Sequence, residues 1–273
     1  TPIFFLPGVP SQMKELFVDH VLPCLAGWSE NERSHVRQRV YRTIGATEKM
    51  INKRLQHLEK INNIKIGYYP VDSEVHVSLN VIGQDRKESD TLFGEADAEI
   101  IAALGTLIYG FNQDTIAGVV GRLLLERKWM LSVAESCTGG LLASKITEEA
   151  GSSQWFSGGV TAYSNGLKVK LLGVDNAVLA EYGAVSDRVA RAMVEGVAAR
   201  SGSQVAVSVT GVAGPTGGTD EKPVGTVYFA VYLNGEISDH HFTFSGNRKE
   251  IQEITAQTGL DLVRNSLLKF REE

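Results

Sequence analysis

Cysteine is nearly absent from this chain. Its two copies in 273 residues, Cys24 and Cys137, lie too far apart for a zinc site and offer no disulfide framework. Histidine is scarce where chemistry would need it. The second half holds only His240 and His241, adjacent in a strand-like run and so facing opposite sides. The parts of a Ser-His-Asp triad, or of a His/Cys/Asp metal centre, are therefore missing there. No apolar run reaches the roughly 20 residues that span a bilayer, and nothing at Thr1 resembles a signal peptide. A cytoplasmic protein without membrane association is expected, and a net charge of −5 argues against a general nucleic-acid binder. What is present is 43% hydrophobic and 22% charged, the make-up of a globular protein with room for two domains.

Periodicity divides the chain into three parts. Residues 3–8 predict a buried strand running into a turn, and Gln12 to Leu22 an amphipathic helix. This is too little for a domain; 1–32 reads as the end of a larger unit plus a polar linker from Pro23 to Arg33. Residues 33–112 predict a small α/β domain: a strand His35–Ile44, a helix Thr47–Lys60, a hairpin of Ile64–Val71 and Glu74–Ile82, and a helix Ser89–Leu107. Its basic stretch, Arg33 to Lys65, has neither a Gly-x-x-Gly loop nor a row of stacking aromatics, so nucleic-acid binding is not expected. Residues 113–273 alternate helix and strand and end in a hairpin around Asn234–Gly235. That pattern predicts a three-layer α/β/α sandwich with a mixed sheet. Ser186 and Asn247 are expected helix caps, with Glu250 completing a capping box.

Four turns in this last part carry the residues suited to chemistry. Met130–Ala134 predicts a strand, and a helix follows from Gly140. The turn between them holds a carboxylate (Glu135), two candidate nucleophiles (Ser136 and Cys137), the hydroxyl of Thr138, and Gly139 and Gly140. A helix end offers N–H donors to a phosphate or oxyanion, and glycines let a ligand approach the backbone. In Y-S-N-G-L-K, Tyr163 ends a strand while Lys168 sits one turn into the next helix, so both can face one pocket. Thr210 and Gly211 open a Gly-rich loop that is not a P-loop, since no Gly-Lys-Ser/Thr follows. Ser245-Gly246-Asn247-Arg248 sets a guanidinium beside a helix N-terminus, a combination suited to phosphate. With histidine absent, lysine is the most available base. Lowering its pKa from about 10.4 to about 7–8 takes roughly 4 kcal/mol, which demands a walled pocket.

Taken together, A-E-S-C-T-G-G-L, A-G-S-S-x-W-F, Y-S-N-x-x-K, V-T-G-x-A-G-P-T-G-G and S-G-N-R resemble the CinA family. The C-terminal half resembles its PncC-type nicotinamide mononucleotide (NMN) deamidases. The resemblance implies a metal-free amidohydrolase, with no cofactor for deamidation, that converts NMN to nicotinate mononucleotide and ammonia. It implies Ser136 as nucleophile, Tyr163 and Lys168 as its activating partners, and Thr210, Gly211 and Arg248 near the ligand. It also implies a KH-like middle domain, a homo-oligomer, and for residues 1–32 the tail of a molybdopterin-binding-like domain. That domain carries metal-dependent ADP-ribose pyrophosphatase activity in longer relatives, and its motifs have no match in this chain. A non-catalytic nucleotide- or partner-binding module is the competing class.

Overall fold

The computed structural model describes residues 3–28 and 35–270. Residues 3–8 form no strand; they are largely exposed, and no strand among the described residues pairs with them. A lone apolar run has no ladder to join, which overrides its strand propensity. The helix that follows also departs from expectation. It runs as α1 (Pro10–Leu16), a π-turn over Phe17–Val21 and α2 (Leu22–Trp28), carrying Pro23 inside it rather than ending there. Proline lacks an N–H and clashes with the carbonyl four residues back, and the wider π register just before it removes that conflict. The rest of the expected linker, and the boundary at 32/33, lie outside the described residues.

The small domain is an antiparallel sheet of β1 (His35–Ile44), β2 (Ile64–Val71), β3 (Glu74–Gly83) and β4 (Ile108–Phe111), in the order β2-β3-β1-β4. Val75, Val77, Leu79 and Val81 alternate along β3 and pack on α3 (Glu48–Leu55) and α4 (Arg86–Leu104) through Ile51, Leu55, Phe93 and Ile100. The first helix stops at Leu55, short of the expected Lys60. The second starts and ends three residues early, at Arg86 and Leu104, because Asp85 caps it by accepting from the Glu88 N–H. The Ile108–Phe111 run then leaves as a strand beside β1. So short an apolar run cannot be told from a helix tail by periodicity.

The larger domain comprises α5 (Ile116–Arg127), β5 (Leu131–Glu135), α6 (Leu141–Thr147), β6 (Phe156–Thr161), α7 (Asn165–Leu172), α8 (Asn176–Tyr182), α9 (Asp187–Ser201), β7 (Val205–Gly211), β8 (Thr226–Leu233), β9 (Glu236–Thr243) and α10 (Arg248–Lys269). Its sheet is mixed, in the order β6-β5-β7-β8-β9, with β5 parallel to β6 and β7 and the remaining pairs antiparallel. Side chains alternate across it. Leu131, Val133, Val205 and Val207 meet α5, α6 and α10, whereas Ala134, Ala206 and Ala230 meet α7 and α9. The three-layer expectation therefore holds, while α8 was not foreseen.

Two consequences of this topology place the site. Because β5, β6 and β7 are parallel neighbours, the turns after Glu135, Thr161 and Gly211 emerge at one edge of the sheet, where α/β folds hold their ligands. And α10, which begins at that edge, is tied to the small domain. Gln257 Nε2 donates to buried Glu74 at 3.2 Å, and the Arg264 guanidinium donates to the carbonyls of Thr106 at 2.7 Å and Ile108 at 3.1 Å.

Candidate functional site

The turn after β5 is held from within. Glu135 is buried, and its carboxylate accepts from the N–H groups of Gly140 at 3.0 Å, Leu142 at 3.0 Å and Ala143 at 2.9 Å. An anion at the positive end of α6 satisfies the donors a helix start leaves open. Gly140 serves that geometry as the N-cap with φ +105°, a conformation a side chain would strain. The Gly139 and Leu141 N–H groups bond the carbonyls of Ser136 and Thr138. The helix end is thus filled by Glu135, in place of the expected ligand. Only the N–H groups of Cys137 and Thr138, immediately after Ser136, donate to no other described residue.

Ser136 and Lys168 meet beside this turn. Ser164 caps α7 by accepting from the Leu167 N–H, and Lys168, one turn in, folds back toward the strand ends. Its Nζ donates to Ser136 Oγ at 3.0 Å and to the Ala162 carbonyl at 3.1 Å. Lys168 is 1% exposed, and burial pushes its ammonium below the ordinary lysine range. The adjacent Cys137 thiol is pushed up to about 12, chiefly by burial. It packs with Val209, Phe229 and Ile251 as a small apolar residue.

A cavity of about 190 Å³ opens onto this pair and is also lined by Tyr163, Asn165, Thr210, Gly211 and Arg248. Tyr163 and Lys168 line this one cavity, as the sequence predicts, but the tyrosine hydroxyl bonds elsewhere. Tyr163 is 59% exposed, and its hydroxyl accepts from Arg248 at 2.9 Å. Arg248 also donates to the Gly214 carbonyl at 2.6 Å and pairs with no carboxylate among the described residues. The free backbone donors expected beside it are mostly taken: Asn247 accepts from the Lys249 and Glu250 N–H groups, and Glu250 closes the capping box. Thr210 donates to the Ala184 carbonyl at 2.7 Å. Gly211 is there for packing, since a Cβ would lie 2.8 Å from the Thr226 carbonyl oxygen.

Thr138, Gly139 and Gly140 do not line the cavity, and the buried Thr138 hydroxyl has no partner in the structure. Among the described residues, no group of three or more His, Cys, Asp and Glu side chains could hold a metal ion, and no helix is long and apolar enough to cross a membrane. Sequence reasoning passed over three contributors. The Ala162 carbonyl and Asn165 lie inside the Y-S-N-x-x-K stretch and its approach, so attention to the whole turn would have found them. Gln252 is the third: it donates to the Cys137 carbonyl at 2.7 Å, and nothing local marks it.

Comparison with known proteins agrees with the architecture. The model of the CinA C-terminal domain matches residues 113–267, and that of the damage-inducible protein CinA KH domain matches residues 38–110. A CinA-like protein of Desulfotalea psychrophila is 47% identical over 268 residues, covering 98% of this chain and 65% of that protein. A CinA-like protein of Thermosynechococcus vestitus is 40% identical, covering 97% and 64%. The chain therefore spans somewhat less than two thirds of the length of these relatives. Among solved structures, a CinA superfamily protein from Klebsiella pneumoniae superposes with TM-score 0.55 at 32% identity, over 57% of this chain and 97% of that one. The competence/damage-inducible protein of Agrobacterium tumefaciens gives TM-score 0.53 at 38% identity, over 57% and 98%. With its C-terminal domain and KH-like domain both matched, the chain belongs to the CinA family.

Proposed function

We propose that this protein is an amidohydrolase that hydrolyses the carboxamide of NMN to nicotinate mononucleotide and ammonia. The observation that carries the reading is the buried Lys168 amine 3.0 Å from the Ser136 hydroxyl. A hydroxyl needs a strong base, and a lysine whose charge is disfavoured by burial provides one without histidine. Unprotonated Lys168 takes the Ser136 proton as Oγ attacks the amide carbon. The proton passes to the leaving nitrogen, ammonia departs, and an acyl-enzyme remains. Water, deprotonated by the same amine, releases the acid. The Ala162 carbonyl, as the second acceptor for Nζ, keeps the amine aimed at Oγ. The N–H groups of Cys137 and Thr138, which bond no other described residue, are the donors available to the developing oxyanion.

Arg248 suits the phosphate of NMN. Its guanidinium stands at the cavity wall with no carboxylate partner among the described residues, and a guanidinium fork matches phosphate geometry. No cofactor enters these steps. The test is ammonia release from NMN by the purified chain, with and without EDTA. Release that survives the chelator is expected. A folded protein that binds NMN without turnover would instead favour a non-catalytic nucleotide-binding module. Loss with EDTA, restored by Mg²⁺ or Zn²⁺, would reject the metal-free serine–lysine reading.

A further inference from the structure

Gln252 sits on α10, one turn after Arg248, with no part in the roles assigned above. Its Nε2 donates to the Cys137 carbonyl at 2.7 Å, across 115 positions of sequence. That carbonyl belongs to the peptide whose N–H is on Thr138. The bond is trans, as Gly214–Pro215 is the only cis bond among the described residues, so its C=O and N–H point in opposite directions within one plane. Fixing one therefore fixes the other.

The layers say which way each points. α10 packs with α5 and α6 on one face of the sheet, and α7 packs with α9 on the other. Holding the Cys137 carbonyl toward α10 turns the Thr138 N–H away from α10. The other constraint on the turn comes from Glu135, which takes the N–H groups of Gly140, Leu142 and Ala143 but leaves that of Thr138 free. We infer that Gln252 is a positioning residue: by gripping the Cys137 carbonyl it aims the Thr138 N–H at the oxygen that becomes negative when Ser136 attacks.

This rests on Ser136 being the nucleophile, so the test needs a readout that does not depend on NMN. An alkyl fluorophosphonate serves. Ser136 Oγ forms a bond to phosphorus, fluoride leaves, Lys168 keeps the hydroxyl proton, and the phosphoryl oxygen occupies the oxyanion position. Two variants are compared with the native chain, each checked for folding by thermal unfolding. Gln252→Glu keeps the shape, but its ionised carboxylate cannot donate. Gln252→Ala removes the grip altogether. Ser136 labelling is followed by mass spectrometry, alongside kcat and KM for NMN.

Deleting an oxyanion donor outright costs about 10²–10³ in rate, and misaiming one should cost roughly ten- to a hundredfold. The labelling rate and kcat should fall together by that factor with KM within about twofold, because ground-state binding does not use this donor. A folded variant that labels within about twofold of the native rate overturns the assignment. Native protein that labels but does not turn over NMN refutes the substrate reading alone, and the labelling rates still decide on Gln252. Failure of native Ser136 to label overturns both.

Discussion

The Tyr163 hydroxyl accepts a hydrogen bond from Arg248 at 2.9 Å, joining the approach to α7 with the first residue of α10 across 85 positions of sequence. This hydrogen bond ties Tyr163 to the cation of the site. Tyr163→Phe should raise KM for NMN about three- to tenfold, the worth of one exposed hydrogen bond, with kcat within about threefold. Arg248→Ala should cost roughly 10- to 150-fold in NMN affinity but little for the dephosphorylated riboside. A Tyr163→Phe variant with kcat down a hundredfold and KM unchanged would instead put the hydroxyl at the reacting atoms.

Ser136 and Cys137 are neighbours in one turn, yet only the hydroxyl meets Lys168. With its thiol pushed up to about 12, Cys137 is protonated at neutral pH. Ser136→Ala and Lys168→Ala should each lower kcat by about 10³ or more, with the fold intact by circular dichroism. Cys137→Ala should stay within about tenfold of native activity and lose about 1 kcal/mol of stability from packing against Phe229 and Ile251. The reverse pattern of activities would make this a cysteine amidase.

Burial lowers the Lys168 pKa from its ordinary 10.5, opposed by the nearby Cys137. Below the folded-state pKa both native and unfolded chains hold the proton, and the native state bears the full cost of a buried charge. Between that pKa and 10.5 the unfolded chain binds more protons, so this residue's contribution to stability rises with pH. Urea unfolding of native protein and Lys168→Met should therefore diverge in favour of the native chain as the pH rises toward 10.5. A pH-independent difference would mean that the amine stays charged. The same titration should give kcat/KM an acid limb that levels off below 10.5.

Glu135 is placed where a ligand anion was expected. Glu135→Gln keeps the size but exchanges a charged acceptor of three N–H groups for an amide whose NH₂ faces donors. A loss of about 2 kcal/mol in urea unfolding is expected, with activity falling as the Ser136 turn relaxes. Unchanged stability would show that α6 does not depend on this cap.

Local signals in the chain were enough for the frame. Strand alternation, the caps at Ser186 and Asn247, and the turn at Asn234–Gly235 each depend on a few adjacent residues, and each appears where the pattern predicts it. The motif turns could be marked as strand ends for the same reason. That three of them meet was decided by the sheet order β6-β5-β7, a matter of which parallel strands become neighbours. Polar partnerships lay further from reach. Glu135 caps α6, Tyr163 shares the pocket of Lys168 but bonds Arg248, and Gln252 carried no mark at all. Sequence determines which groups need hydrogen bonds, since most buried donors and acceptors are satisfied. Which group satisfies which depends on how the layers pack, and so does the burial that lowers the Lys168 pKa, a property of its surroundings that only the tertiary structure supplies.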